Sequence, residues 1–261
     1  MNTARNRKSL VGLGMASFLM SVAVTSLSLP STAMASSKTS VTVFAASSLQ
    51  EQFTQAARRF ERANPMVRIR FSFGSSTTLA NQIATGAPAD IFVAADQVSM
   101  RAATDISRYT SNYVTNQVVL AIPIHSTIAS PSDLTGNVIW LQCAHSVPCG
   151  AAAERALAAE GVTTNSPVSL ETSDSTTFAK LLAGAVDAAI VYKTDVIANP
   201  LKVRAVEFKD TSAASTIYRI GISQRGMTLT NPWVKKFFRY LKSSSVKISL
   251  KRAGFQVDSI R

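Results

Sequence analysis

The stretch Val41-Thr42-Val43-Phe44-Ala45-Ala46-Ser47-Ser48-Leu49 passes from one structural period to another within nine residues. Ser40 to Ala45 is rich in β-branched and apolar residues and reads as a strand. A small polar turn, Ala46-Ser47-Ser48, follows at once. Leu49, Phe53, Ala56 and Phe60 then recur on one helical face, and the helix runs to Arg62. Asn64-Pro65 stops it, because the residue before a proline is pushed out of the helical region. The same order repeats downstream. Val67 to Phe73 alternates arginine with apolar residues and reads as a second strand. Thr77 to Ala84 reads as a helix closed by Gly86. Ile91 to Ala94 reads as a short buried strand, and Asp96 can cap the helix after it. This βαβαβ order places the chain in the α/β class, with a mostly parallel sheet flanked by helices.

The remainder keeps the alternation. Strands are expected at Val118 to Ile124, Val138 to Leu141, Ala188 to Tyr192 and Tyr218 to Ser223. A turn at Ser130-Pro131-Ser132 follows the first. Gly150 to Ala159 reads as a helix stopped by Gly161, and Phe178 to Leu182 as part of a helix closed by Gly184. Near the C-terminus Lys235, Lys236, Arg239, Lys242, Lys247, Lys251 and Arg252 surround apolar Val234, Phe237, Phe238 and Leu241. That spacing is the solvated face of an amphipathic helix. No repeat of fixed period and no low-complexity linker divides the chain.

Four polar turns stand directly before helical runs: Ala46-Ser47-Ser48, Gly74-Ser75-Ser76-Thr77, Val147-Pro148-Cys149-Gly150 and Ser173-Asp174-Ser175. A helix start leaves backbone N–H groups unpaired and carries about half a positive charge. Four such starts converging on one point would hold an anion without arginine or lysine. Ser48 and Ser76 would add hydroxyls, and Cys149 and Asp174 backbone N–H groups. Two bland readings stand beside this one. The serines can act as helix caps alone, and Tyr192, at the end of its strand, can be a core aromatic. Asp174 is expected to cap the Ser175 to Leu182 helix, with its carboxylate turned away from any anion.

Composition narrows the function classes. The 261 residues are 46% hydrophobic and 16% charged, enough for one large domain or two lobes with real cores. Residues 1–35 read as a secretory signal: Arg5, Arg7 and Lys8, then an uncharged run from Leu10 to Leu29, then Ala33-Met34-Ala35 as a cleavage site. An uncleaved anchor is the alternative. The mature chain is therefore expected to be soluble and outside the cytoplasm. Net charge is +12, of which the signal supplies three, leaving +9. The basic residues are scattered outside the C-terminal helix, so no nucleic-acid surface is expected; a basic surface beside an anionic membrane, or mild steering of an anion, is a better use. Export permits a disulfide between Cys143 and Cys149, which would stiffen the Val147-Pro148 turn; two buried thiols are the alternative. A metal-cation site is not expected, since these cysteines and His145 lack a fourth ligand. A serine hydrolase needs a base, and only His125 and His145 exist, with no G-x-S-x-G elbow. No P-loop or dinucleotide fingerprint occurs, and Asp90 and Asp96 form no acid–base pair.

Several segments resemble, in order, the motifs of periplasmic molybdate-binding proteins of ABC transporters. They are Val41 to Leu49, Phe71 to Ile83 (F-S-F-G-S-S-T-T-L-A-N-Q-I) and Gly86 to Asp96 (G-A-P-A-D-I-F-V-A-A-D). Val147 to Gly150 (V-P-C-G), Ala188 to Asp195 (A-A-I-V-Y-K-T-D) and Arg252 to Phe255 (R-A-G-F) follow. The resemblance spans essentially the whole mature chain. It implies a two-lobed type II binding-protein fold, with residues 36–117 and 217–261 in lobe 1, residues 118–216 in lobe 2, two crossing strands as hinge, and the ligand cleft between the lobes. It implies a non-enzymatic monomer, free of cofactor, that binds molybdate or tungstate through Ser48, Ser76, the N–H groups of Cys149 and Asp174, and Tyr192. Its partners would be a membrane permease and a cytoplasmic ATPase. At Asp174 the family often has an apolar residue, so this position is a departure. A receptor for sulfate or phosphate, or an exported serine hydrolase, are the alternative functions.

Overall fold

The expected first strand forms as β1, Thr39–Ala46, in a computed structural model that describes residues 38–106, 110–224 and 231–257. The signal segment, with its cleavage or retention, lies outside the described residues. Among those residues no helix is long and apolar enough to cross a membrane. A 3-10 turn at Ser47–Leu49 links β1 to α1, Gln50–Ala63, whose Phe53, Ala56, Ala57 and Phe60 are buried. β2 (Val67–Gly74), α2 (Ser76–Ala84), β3 (Ile91–Ala94) and α3 (Gln97–Ala102) follow as expected. Asp96 caps α3 by accepting from the Ser99 N–H at 2.8 Å. β1 lies between β2 and β3, parallel to both, and β3 is buried along its whole length.

The long strand β4, Thr110–Pro123, begins well before the expected Val118. Its first half, T-S-N-Y-V-T-N-Q, has no apolar run. It is a strand because β9, Ser215–Ile222, pairs with it antiparallel from Thr110 to Gln117. From Val118 onward β4 changes partners and pairs antiparallel with β7 (Ala188–Tyr192) and β8 (Val203–Val206). β5 (Trp140–Cys143) runs parallel to β7 and to the two-residue β6, Leu170–Glu171. β9 also pairs antiparallel with β3, so β4 and β9 connect a β2-β1-β3 region to a β7-β5-β6 region. The parallel pairs are those of the βα units, and the antiparallel ones involve only the two connecting strands.

Helices α4 (Pro148–Glu160), α5 (Asp174–Leu182) and α6 (Lys193–Ala198) belong to the second region. Gly161 ends α4 at φ 63°, the left-handed conformation that glycine adopts freely. The expected single basic helix near the C-terminus is two, α7 (Pro232–Leu241) and α8 (Ser244–Arg252). The break falls at Ser243, whose backbone is extended. Val234, Phe237, Leu241, Val246 and Leu250 are buried, while Lys236, Arg239, Lys242, Lys251 and Arg252 remain exposed. Phe60 of α1 meets Phe237, Tyr240 and Trp233 of α7 at 4.9, 5.2 and 6.5 Å between ring centres. The end of the chain thus returns to its beginning, and burial of these aromatics supplies much of the stabilisation there.

Candidate functional site

Each of the four turns ends a strand and starts a helix, and the fold brings their tips together. Ser48, Ser76, Cys149, Asp174 and Tyr192, the five positions singled out from the sequence, line one small cleft together with Ser75. None of its lining residues is lysine, arginine or histidine.

The first two turns come from β1 and β2. Ser48 sits inside the 3-10 turn, with its Oγ 2.7 Å from the hydroxyl of Tyr218 on β9. Burial pushes the Tyr218 phenol up, so it stays protonated and can donate to Ser48. The serine hydrogen is then free to turn toward the cleft. Neither expected serine is a cap. Ser75, extended at φ −60° and ψ 135°, holds the N-cap position of α2, and Ser76 is the first helical residue. Ser76 is 2% exposed, and its Oγ accepts from the Ala95 N–H at 2.8 Å. That bond occupies an acceptor lone pair and leaves the hydroxyl hydrogen to donate elsewhere. The Ser75 Oγ is buried without a partner.

The third turn is fixed by the Cys143–Cys149 disulfide, with Cα atoms 5.7 Å apart. It draws the loop after β5 over the start of α4. The fit requires glycine at position 150: a Cβ there would lie 2.0 Å from the Ala144 carbonyl oxygen and 2.6 Å from that of Cys143. Pro148 occupies the first turn of α4, where its missing N–H costs nothing, and the following N–H groups start the helix. Thr77 Oγ1 of α2 donates to the Ser146 carbonyl at 2.9 Å, tying this loop to the second turn.

The fourth turn corrects one expectation. Asp174 does not cap α5. Ser173, extended at φ −157° and ψ 155°, is the N-cap, and its hydroxyl accepts from the Thr176 N–H at 3.2 Å. Asp174 is therefore one residue inside the helix, where its side chain reaches back to β7. Its Oδ1 accepts from the Tyr192 N–H at 3.1 Å, while its Oδ2 is buried and accepts no N–H or hydroxyl. Burial raises its pKa above the ordinary carboxylate value. Tyr192 is 2% exposed, 6.0 Å from Tyr218 between ring centres, and its hydroxyl makes no hydrogen bond of good geometry. Burial first, then the nearby Tyr218 and Asp174, push its phenol well up, so it too remains an O–H donor. A buried hydroxyl without a partner costs stability unless a ligand accepts from it.

The sequence reading missed Ser75 and Tyr218. Ser75 had a signal, as the neighbour of Ser76 in the same polar turn. Tyr218 had none, because its contact joins residues 170 apart in the chain. The histidines stay away from the cleft. His125 is exposed, and His145, also exposed, pairs with Glu154. Among the described residues no cluster of histidine, cysteine or carboxylate could hold a metal ion. Neither histidine lines the cleft that holds Ser48 and Ser76.

Converging strand-to-helix turns around a donor-lined cleft, in an α/β fold joined by two long strands, define a solute-binding protein. The chain belongs to the bacterial extracellular solute-binding proteins, whose family model matches residues 41–256. It is 34% identical over 224 residues to the molybdate-binding protein ModA of Mycobacterium tuberculosis, covering 83% of this chain and 84% of that one. ModA of Haemophilus influenzae is 31% identical over 233 residues, 82% and 89% of the two chains. The fold is also that of the periplasmic molybdate-binding protein of Azotobacter vinelandii, with a TM-score of 0.71, 17% identity, and coverage of 84% and 100%.

Proposed function

We propose that the protein is an extracytoplasmic receptor for molybdate and tungstate that delivers them to an ABC transporter permease driven by a cytoplasmic ATPase. The observation that carries this reading is a cleft lined by hydroxyls and helix starts and free of lysine, arginine and histidine. Molybdate, tungstate and sulfate are dianions without protons near neutral pH, so they accept hydrogen bonds and donate none. Ser48, Ser76 and Tyr192 would donate their hydroxyls, and Cys149 and Asp174 their backbone N–H groups at helix starts. A carboxylate aimed at the ligand would select a protonated oxyanion such as hydrogen phosphate. The Asp174 carboxylate is instead engaged by the Tyr192 N–H, which favours a dianion. Size then separates molybdate and tungstate from the smaller sulfate. The similarity to two ModA proteins supports the same ligand.

The receptor is read as non-enzymatic, monomeric and free of cofactor. Its two lobes are residues 36–117 with 217–261, and residues 118–216, with the cleft between them. The change of partner along β4 between Gln117 and Val118 supports that division. Ligand favours the closed arrangement because it is held from both sides at once. The test is calorimetry of the chain lacking residues 1–35 against molybdate, tungstate, sulfate and phosphate. Heat with the first two supports the reading. Heat with sulfate or phosphate alone assigns a different oxyanion, and no heat with any of the four overturns it.

A further inference from the structure

Behind the cleft, two carboxyl groups meet. Asp174, in the first turn of α5, and Asp195, in the first turn of α6, lie close enough for their side chains to interact directly. Oδ1 of Asp174 takes the Tyr192 N–H, and Asp195 takes its own backbone N–H. The remaining oxygens, Oδ2 of each, are both buried, and neither has a donor from the rest of the protein. Two ionised carboxylates so placed would be two acceptors with nothing between them. One proton satisfies both, as a carboxylic acid donating to a carboxylate.

We propose that Asp174 and Asp195 hold a single proton between them and that this proton, by keeping the pair at one negative charge, sets how tightly the adjoining cleft binds a dianion. Asp174 contributes the start of α5 to the cleft, so any second charge on the pair lies directly behind the ligand. The inference rests on the oxyanion reading of that cleft. Burial favours the neutral form of each group; the Asp195 side chain lowers the Asp174 carboxyl, while the charge on Asp174 raises that of Asp195, so the shared proton stays on Asp195. The surroundings supply little compensation. From β7 the Tyr192 phenol faces the pair, from β9 that of Tyr218, and Asp96 adds a further negative charge near Tyr192. Glu51 and Arg58 of α1 and Arg252 of α8 line the outer groove at whose edge Asp195 sits. Lys193 is turned to Glu207, at 2.6 Å. Asp195 thus acts as a positioning residue: its proton fixes the Asp174 carboxylate away from the ligand.

Infrared spectroscopy of the ligand-free protein at neutral pH tests the proton without any ligand. The wild type is expected to show a protonated-carboxyl stretch that shifts in heavy water and is lost in Asp195→Asn. No such band, or one that persists in Asp195→Asn, overturns the proposal. Molybdate titration tests the consequence. The side-chain amide introduced by Asp195→Asn would donate to Asp174 as the acid does, so this variant is expected to bind within about threefold of wild type. Asp195→Ala removes the donor and is expected to bind about tenfold or more weaker than Asp195→Asn. Wild-type affinity is expected to fall as the pH rises through the titration of the band, while that of Asp195→Asn stays flat. Equal affinities for the two variants, or matching pH profiles for wild type and Asp195→Asn, overturn the tuning role. If Asp195→Ala does not fold, the two pH profiles decide. A wild type that shows the band but binds no molybdate overturns the functional reading and the tuning role, and leaves the shared proton standing.

Discussion

Substitution of Ser76 by alanine separates what the hydroxyl does for the fold from what it does for the ligand. In the folded protein the Ser76 Oγ is the acceptor for the buried Ala95 N–H. Alanine leaves that N–H without a partner, at a cost of about 1–3 kcal/mol of stability. For a chain of this size, 2 kcal/mol lowers the melting temperature by roughly 4–8 °C. The binding effect is separate. The hydroxyl hydrogen, free because its oxygen already accepts from Ala95, would make a charge-assisted bond to the dianion. Its loss should weaken binding by about 1.5–3 kcal/mol, roughly ten- to 150-fold. Ser48→Ala gives the contrast. Its hydroxyl meets another hydroxyl, that of Tyr218, and no buried backbone N–H, so stability should fall less while affinity falls by a similar factor. Differential scanning calorimetry with and without molybdate, together with isothermal titration, reads both quantities. A Ser76→Ala protein that melts lower but keeps its molybdate affinity within about twofold would show that the serine is structural only.

The Cys143→Ser, Cys149→Ser double variant should still fold, because closing so short a loop contributes only about 2–2.5 kcal/mol. It should bind molybdate more weakly, since the third turn must then be ordered by the ligand; unchanged affinity in titration would remove the preorganisation argument. Gly150→Ala places a Cβ against the Ala144 carbonyl and should cost about 3 kcal/mol or more, read as a large drop in melting temperature or as insoluble expression. The Lys180 ammonium, then the Ser169 hydroxyl, hold the Glu171 carboxyl below its ordinary 4.5. A carboxyl whose folded pKa is depressed adds stability that is present above the unfolded value and lost as the pH falls through the folded one. Melting curves between neutral and acid pH should therefore flatten in Glu171→Gln; a slope equal to wild type would assign the acid sensitivity to other groups.

The turns were legible because each lies between two local periods, a strand before and a helix after. The strand at Ile91 to Ala94 and the one at Ala188 to Tyr192 are short apolar runs that keep their bounds in the fold. The first half of β4 was not legible, since Thr110 to Gln117 is polar and owes its extended form to β9. β6 and β8 likewise exist through their partners, with only two and four residues. At the cleft, the sequence identified the turns but not the offsets within them. Ser173 and Asp174 are both good caps, as are Ser75 and Ser76, and backbone conformation decides which one serves. The pairing of Asp174 with Asp195 depends on where α5 and α6 meet, which no local pattern encodes.

Anomalous diffraction from crystals grown with molybdate or tungstate tests the central claim most directly, because the heavy atom reports its own position. A single strong peak is expected within the cleft, with its oxygens in hydrogen-bond reach of the Ser48, Ser76 and Tyr192 hydroxyls and of the Cys149 and Asp174 N–H groups. A peak in the outer groove beside Arg58 and Arg252, with the cleft empty of metal, would contradict the account.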